Sequence, residues 1–157
     1  MSATHQWSES NGAGEVVTND ITTVNFGSVD SADLTPASDP VVTGENSFHK
    51  CIRCKFSSTF TEISNMKIWK SLGAYATGEV IQYKESTAYV QPVETALSGA
   101  SAIPTSEPSQ NVLSAAGTAT ITAAGYTEYM LLQIQSTVST PAGAAATKTL
   151  TFQYDVM

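Results

Sequence analysis

Hydrophobic residues along this chain recur every two positions, the period of a β-strand, rather than every 3.6 positions as in a helix. The clearest example is the segment 147–157 (TKTLTFQYDVM), where apolar and polar residues alternate. Its apolar positions are Leu150, Phe152, Tyr154 and Val156. Because successive side chains of a strand point to opposite faces, this segment is predicted to form a half-buried strand. Residues 125–138 (GYTEYMLLQIQSTV) alternate in the same way and predict another.

Further strands are predicted wherever short runs of β-branched and aromatic residues lie between turn signals. These runs are residues 17–26, 47–57, 65–70, 79–84, 87–91 and 117–122. The connections between them are rich in Gly, Pro, Ser and Asp, which favour turns. About eight short strands with spaced turns indicate an all-β protein. We therefore expect an antiparallel β-sandwich, of the jelly-roll or immunoglobulin-like type.

Residues 1–15 differ from the rest because they are polar and show no hydrophobic period. The exception is Trp7, a residue that is usually buried against something. The pattern predicts an extended N-terminal arm over residues 1–15 and a single β-sandwich domain over residues 16–157. Trp7 is then expected to pack against its own domain or against a neighbouring subunit.

The formal net charge is −7, which argues against nucleic acid or an anionic membrane as a partner. The charges are unevenly distributed along the chain. Residues 1–49 hold seven acidic side chains and no Lys or Arg, whereas residues 50–84 hold six of the seven basic residues. One interpretation is that the faces of the sheets simply solvate these charges. The other is that an acidic arm lies across a basic body, its own or a neighbour's.

The first residues, MSATHQWSESNGAGEVV, lack the basic and apolar regions of a secretory signal. No later stretch approaches the length of a transmembrane helix. We therefore expect synthesis in a cytoplasm without a signal peptide. The protein would then remain there or leave by assembly into a particle.

The segment 50–55, KCIRCK, contains the two cysteines of the chain, Cys51 and Cys54. A strand places residues three apart on opposite faces, with Cα atoms about 10 Å apart at about 3.3 Å per residue. A disulfide requires about 4.4–6.8 Å. A zinc site needs further ligands, and a redox C-x-x-C motif needs a following helix. The pattern favours two reduced thiols, with Cys54 in the core and Cys51 on the more polar face.

Catalytic and cofactor sites are also not predicted. The two histidines are His5, in the arm, and His49, beside Lys50, and no G-x-S-x-G motif is present. Paired carboxylates from distant strands and a calcium-holding loop at Asp30, Asp33 and Asp39 are alternatives, but the acidic residues lie mostly in loops and their spacing does not match an EF-hand. We expect no enzymatic activity, no cofactor and no metal.

Aromatic residues suggest one binding alternative. Trp69 is followed within about twenty residues by Tyr75, Tyr83 and Tyr89. A row of aromatic rings on a sheet can bind sugars, although aromatic residues on strands more often pack against neighbouring strands. A carbohydrate-binding module acting on surface glycans is therefore a second hypothesis of function.

Three segments resemble the small β-sandwich virion proteins of tailed bacteriophages: VTNDITTVNFGS, KIWKSLGAYATGEVIQY and KTLTFQYDV. The relevant proteins are capsid cement or decoration proteins and accessory proteins of necks and tails. The resemblance covers most of the chain from about residue 15 and is one of overall character: leaderless, rich in Thr, Ser and Ala, all-β and poor in charge.

The resemblance implies a homo-oligomer, often a trimer, that binds the major capsid protein or other virion proteins at symmetry-related sites. We accordingly expect a capsid cement protein, with a neck, tail or baseplate component as the first alternative. The residues expected to bind partners are Trp7 in the arm and the basic and aromatic side chains of the body. These are Lys50, Arg53, Lys55, Lys67, Trp69 and Lys70.

Overall fold

The computed structural model of this protein describes residues 3–57, 59–109, 120–143 and 145–157. These residues form nine β-strands. The strands are β1 (Thr4–Asn11), β2 (Val16–Asn19), β3 (Lys50–Ser57), β4 (Ile63–Leu72), β5 (Val80–Ser86), β6 (Ser101–Ala102), β7 (Gly125–Tyr126), β8 (Tyr129–Gln135) and β9 (Thr149–Val156). Over the described residues we find no helix with the length and apolar character needed to span a membrane. The predicted all-β class is confirmed.

Two antiparallel sheets pack against each other. Sheet A has the strand order β2-β1-β3-β8-β5-β6, with β7 paired to β3, and sheet B consists of β4 and β9. Fully buried side chains from both sheets fill the space between them, among them Phe56, Met66 and Leu132. Burying such apolar area is the main stabilising contribution to a sandwich of this kind. The predicted antiparallel β-sandwich is therefore confirmed.

Strand β3 shows how the alternating pattern produces two separate clusters. Ile52, Cys54 and Phe56 point into the main core. Cys51 points the other way and packs with Tyr129 and Leu131 on the outer face of sheet A. A period of two residues sends neighbouring side chains to opposite faces, so the predicted orientation of β3 is confirmed.

The separate N-terminal arm is not confirmed, because residues 4–11 form β1 inside sheet A. β1 pairs with β2 on one side and with β3 on the other. Its last four residues, 8–11, are buried although all four are polar. Lys50 donates a hydrogen bond to Glu9, and Asn11 donates one to Asp30, which offsets part of the cost of burying these side chains.

Trp7 packs against its own chain rather than projecting from it. Its ring lies against Phe152 of β9, and neighbouring His5 is hydrogen-bonded through Nδ1 to the hydroxyl of Tyr154 at 3.0 Å. The inward face of β1 therefore covers β9. Of the two environments expected for Trp7, the structure contains the contact with its own domain.

Some predicted strand limits are wrong. The strand predicted at 17–26 ends at Asn19, because Asp20 adopts a positive φ of 60° that turns the chain out of the sheet. Residues 87–91 form no strand and pass over the outer face of sheet A, where Tyr89 packs on Cys51, Tyr129 and Leu131. Of the strand predicted at 117–122, residues 117–119 lie outside the described part. Ile121 forms an isolated bridge with Ile63.

Candidate partner-binding face

The two cysteines are free and fully buried, on opposite sides of sheet A. Burial raises the pKa of the Cys51 thiol to about 11 and that of the Cys54 thiol to about 12. A thiol becomes a nucleophile or a metal ligand only as the thiolate, so these two are unreactive in the folded state. Both cysteines pack as small apolar residues.

His49 is also buried, immediately before β3. Its Nδ1 lies 3.2 Å from the carbonyl oxygen of Val93 and its Nε2 lies 3.4 Å from that of Val90. Burial lowers the pKa of this imidazole below 6.5, so the neutral form is favoured. Within the described ranges, no three His, Cys, Asp or Glu side chains are grouped so that they could hold a metal ion.

Three of the seven expected partner-binding residues make their contacts within the fold. Trp7 is half-buried on Phe152. Lys50 is 1% exposed and forms an ion pair with Glu9, with Nζ 2.9 Å from Oε1. Lys70 is 9% exposed, donates to the carbonyl oxygen of Gly73 and lies over the ring of Tyr75. Lys50 and Lys70 are therefore engaged in contacts within the chain. The ion pair of Glu9 with Lys50 also brings an acidic and a basic segment of the same chain together.

Two others lie on sheet B. Lys67 forms an ion pair with Glu107 at 2.9 Å, and the side chain of Glu107 is 49% exposed. Trp69 pairs with Thr151 of β9 and is half-buried. Since Ile68 between them points into the core, Lys67 and Trp69 lie on the outer face of sheet B. They are on the opposite side of the sandwich from the outer face of sheet A.

The remaining two, Arg53 and Lys55, lie together on the outer face of sheet A. The guanidinium carbon of Arg53 is 4.1 Å from the ring centre of Tyr126 and 4.6 Å from that of Tyr129. The ammonium of Lys55 is 5.6 Å from the Tyr126 ring centre. We call the surface made by Gln6, Arg53, Lys55, Tyr126 and Tyr129 the Arg53 face.

Strand pairing fixes the geometry of the Arg53 face. Gln6 pairs with Lys55, and Lys55 pairs in turn with Tyr126, so the three form one row across β1, β3 and β7. Gln6 and Lys55 are exposed, and Tyr126 is 38% exposed. The row presents one amide, one cation and one aromatic ring to solvent beside the stacked guanidinium.

The β1–β2 turn holds the tyrosine under Arg53 in place. The hydroxyl of Tyr129 donates to Oε1 of Glu15, and the hydroxyl of Ser10 lies 3.4 Å from the same oxygen. Tyr89 donates to the carbonyl oxygen of Gly12 at 2.7 Å. Burial, followed by the hydrogen bond to Glu15, raises the pKa of Tyr129 to about 12, so this hydroxyl stays protonated and remains a donor.

Arg53 has one unpaired nitrogen and no ion-pair partner among the described residues. Its Nε is buried without a hydrogen-bond partner, and no ion pair among the described residues includes its guanidinium. A guanidinium carries five donors in a fork that fits carboxylate and carbonyl oxygens. The arrangement can therefore bind an acidic or carbonyl-rich surface while two aromatic rings hold the cation in position.

The aromatic row predicted for glycan binding is not assembled. Tyr75 and Tyr83 pack against the main core, and Tyr89 packs on the outer face of sheet A. Trp69 lies on the outer face of sheet B. The four rings therefore do not share one surface. Their closeness in sequence suggested a single row, but sequence spacing does not show which sheet each strand joins.

A small apolar cavity of about 140 Å³ lies beside Trp7 and is lined by side chains of both sheets. Ile52, Ile68 and Phe152 line it, and residues 21–24 form its outer wall. It contains no ionisable side chain, so its lining offers packing but no chemistry.

Sequence reasoning found Arg53 and Lys55 but missed Tyr126 and Tyr129. The available signal was the alternation in 125–138, which puts Tyr129 on the face opposite Met130 and Leu132 without showing which face is the core. What the sequence lacked was the pairing of β3 with β7 and β8, which brings these tyrosines to Arg53. No protein-family model, curated protein or solved structure matches this chain.

Proposed function

We propose that this chain is a non-enzymatic structural protein of a phage virion, a capsid cement protein that binds other virion proteins through the Arg53 face. The observation that supports this proposal best is the Arg53 guanidinium, which is stacked on Tyr126 and Tyr129, takes part in no ion pair of the described residues and has an Nε without a hydrogen-bond partner. Arg and Tyr are the side chains most often found at energetic centres of protein interfaces.

The chemistry of the face defines its partner. A carboxylate or a main-chain carbonyl of the major capsid protein would accept hydrogen bonds from Arg53, and Tyr126 would cover the contact from water. Gln6 and Lys55 would lie at the rim, where exposed polar groups contribute more to specificity than to affinity. An acidic or carbonyl-rich loop is the partner that fits.

The framework beneath this face supports a structural role. Arg53 lies in the middle of β3, between β1 and β8, so the strand cannot move without breaking two ladders. A contact surface on a rigid sheet loses little conformational entropy when it binds. If several copies sit on one lattice, as a trimer or at symmetry-related positions, weak individual contacts add up to strong retention.

The test is the copy number of this chain in purified particles of the phage that encodes it, measured by quantitative mass spectrometry. A cement protein is expected in many copies, and adding it to shells that lack it should raise their melting temperature. A few copies per particle would instead indicate a neck, tail or baseplate component. Absence from particles would contradict both.

Variants then test the face itself. Arg53→Ala should weaken binding to shells about tenfold or more, since an interface centre contributes at least 1.4 kcal/mol. Arg53→Lys keeps the charge but loses the fork, so it should also weaken binding. Val138→Ala, at a loop side chain that is 92% exposed, is the control. Circular dichroism confirms that each variant is folded; unchanged binding of Arg53→Ala would contradict the role of the Arg53 face.

A glycan-binding role makes a different prediction. Trp69→Ala would reduce retention on a host polysaccharide and leave shell binding unchanged. The separation of Trp69 from the tyrosines gives this alternative no shared aromatic platform, so we expect no retention of the unmodified protein.

A further inference from the structure

Three polar side chains converge in the interior at one end of β1 and β3. Glu9, Asn11 and Lys50 are 1%, 8% and 1% exposed. Lys50 Nζ lies 2.9 Å from Glu9 Oε1, and Asn11 Nδ2 lies 3.1 Å from the same oxygen. An amine, a carboxamide and a carboxylate therefore meet around a single atom, shielded from water.

Strand register explains the convergence. Ser10 of β1 is paired with Cys51 of β3, so continuing this antiparallel register by one residue brings Asn11 opposite Lys50. Directly opposite residues have Cβ atoms about 4.5–5.5 Å apart and share a face of the sheet. Glu9 is two residues before Asn11 and thus lies on the same inward face. The three groups are adjacent because of the fold, although residues 12–49 separate them along the chain.

The side-chain nitrogen of Asn11 is hydrogen-bonded, whereas its side-chain oxygen is not. Its Nδ2 donates to Glu9 and to Asp30 Oδ1, the latter at 3.0 Å. Its Oδ1 is buried and accepts no hydrogen bond. A purely structural asparagine normally has its buried carbonyl oxygen paired, since leaving it unpaired is costly. On this carbonyl, Oδ1 is also the atom that would gain negative charge if a nucleophile attacked Cγ.

We propose that Lys50 and Asn11 form an intramolecular isopeptide bond, with Glu9 as the residue that moves the proton. This modification site is independent of the proposed function and would crosslink β1 to β3 covalently.

The reaction balances without a cofactor. Glu9 accepts a proton from the Lys50 ammonium, and the free amine attacks Cγ of Asn11. Protonated Glu9 passes this proton to Nδ2, to which its Oε1 is already hydrogen-bonded at 3.1 Å, and Glu9 then removes a second proton from Lys50 Nζ and passes it to the departing ammonia. The new bond joins Lys50 Nζ to Asn11 Cγ, the bond from Cγ to Nδ2 breaks, and ammonium leaves. Exclusion of water favours the amide because hydrolysis needs a water molecule at Cγ.

The first measurement is the intact mass of the purified, denatured protein. The proposal predicts a mass lower than that of the sequence by one ammonia molecule. Cleavage after glutamate should release the peptide 10–15 covalently joined to the peptide 46–62, since Glu9, Glu15, Glu45 and Glu62 bound them. The full sequence mass with these two peptides separate would overturn the proposal.

One other reaction also releases ammonia, and the variants distinguish it. Asn11 precedes Gly12, a pair in which the Gly nitrogen can attack Cγ to give a succinimide. Lys50→Arg retains the positive charge but should abolish the crosslink and restore the full mass. Loss of ammonia that persists in Lys50→Arg would indicate the succinimide and overturn the proposal.

Two further variants test the roles of the partners. Asn11→Asp should form the same bond with loss of water, giving a product identical in mass to the crosslinked natural chain. Glu9→Gln cannot accept the proton, so the crosslinked peptide should be absent. Circular dichroism shows whether each variant is folded. Crosslinking in folded Glu9→Gln would overturn the role of Glu9, and its absence in folded Asn11→Asp would overturn the assignment of Asn11 as the acceptor.

Discussion

Trp7 on β1 and Phe152 on β9 meet edge to face, with ring centres 5.1 Å apart and planes inclined at 77°. This contact joins sheet A to sheet B, and both residues line the small cavity. Edge-to-face pairs contribute about 0.5–1.5 kcal/mol beyond the area that they bury. The first strand of the described chain therefore helps to hold its last strand in place.

Trp7→Ala is expected to lower the free energy of unfolding by roughly 2–4 kcal/mol, because it removes this contact and enlarges the neighbouring cavity. Urea unfolding followed by circular dichroism measures the change. Trp69→Ala is the matched control, since Trp69 is half-buried on the outer face of sheet B, and should cost only about 1 kcal/mol. Equal losses in the two variants would contradict the role given to Trp7.

The two thiols should not react with a disulfide reagent such as DTNB in the folded protein at pH 8. Their pKa values, raised to about 11 for Cys51 and about 12 for Cys54, leave almost no thiolate at this pH, and burial also excludes the reagent. After unfolding in urea, two thiols per chain should react within minutes. Rapid reaction of either thiol before unfolding would show that the packing around β3 is wrong.

Gly73→Ala should be strongly destabilising. Gly73 has a positive φ of 86°, and a Cβ at this position would overlap the carbonyl oxygen of Thr147. Strain and overlap together are expected to cost about 2 kcal/mol or more. Gly14→Ala provides the control, because a Cβ there meets nothing within 4 Å, and its effect should stay below about 0.5 kcal/mol. Thermal unfolding of the two variants compares them directly.

Stability should fall as the pH is lowered below about 6.5, in part because of His49. Burial lowers the pKa of His49 below 6.5 in the folded protein, with the hydrogen bonds to the backbone of Val90 and Val93 and the negative charge of Asp30 partly opposing the shift. Between the folded pKa and 6.5 the unfolded chain binds more protons, so stability is complete above 6.5 and is lost as the pH falls through this window. His49→Asn should reduce the difference in melting temperature between pH 7 and pH 5.5. An unchanged difference would contradict this assignment.

Much of the fold was predictable because strand alternation is a local signal. β3, β8 and β9 each carry their pattern within eight residues or fewer, and the predicted division of the β3 side chains between the two faces is confirmed. β1 was missed because its inward positions include Glu9 and Asn11, which read as exposed residues when considered alone. Their burial depends on Lys50 and Asp30, and no local pattern shows which distant residue will compensate a buried polar group.

The residues of the candidate site also divide into those that local alternation predicts and those that depend on long-range strand pairing. Arg53 and Lys55 were recognisable as basic residues on the outward positions of β3. Lys50, two positions before Ile52, was grouped with them by charge, yet the same alternation turns it inward. Tyr126 joins Arg53 only through the pairing of β7 with β3, which depends on long-range topology.

Sheet A ends in two short strands, β2 with four residues and β6 with two. A long, flat, unpaired margin is the template on which foreign strands add and fibrils grow. Within the described part of this sheet, the margins expose only a few main-chain donors and acceptors. Edge-to-edge association through these two margins of sheet A is therefore disfavoured.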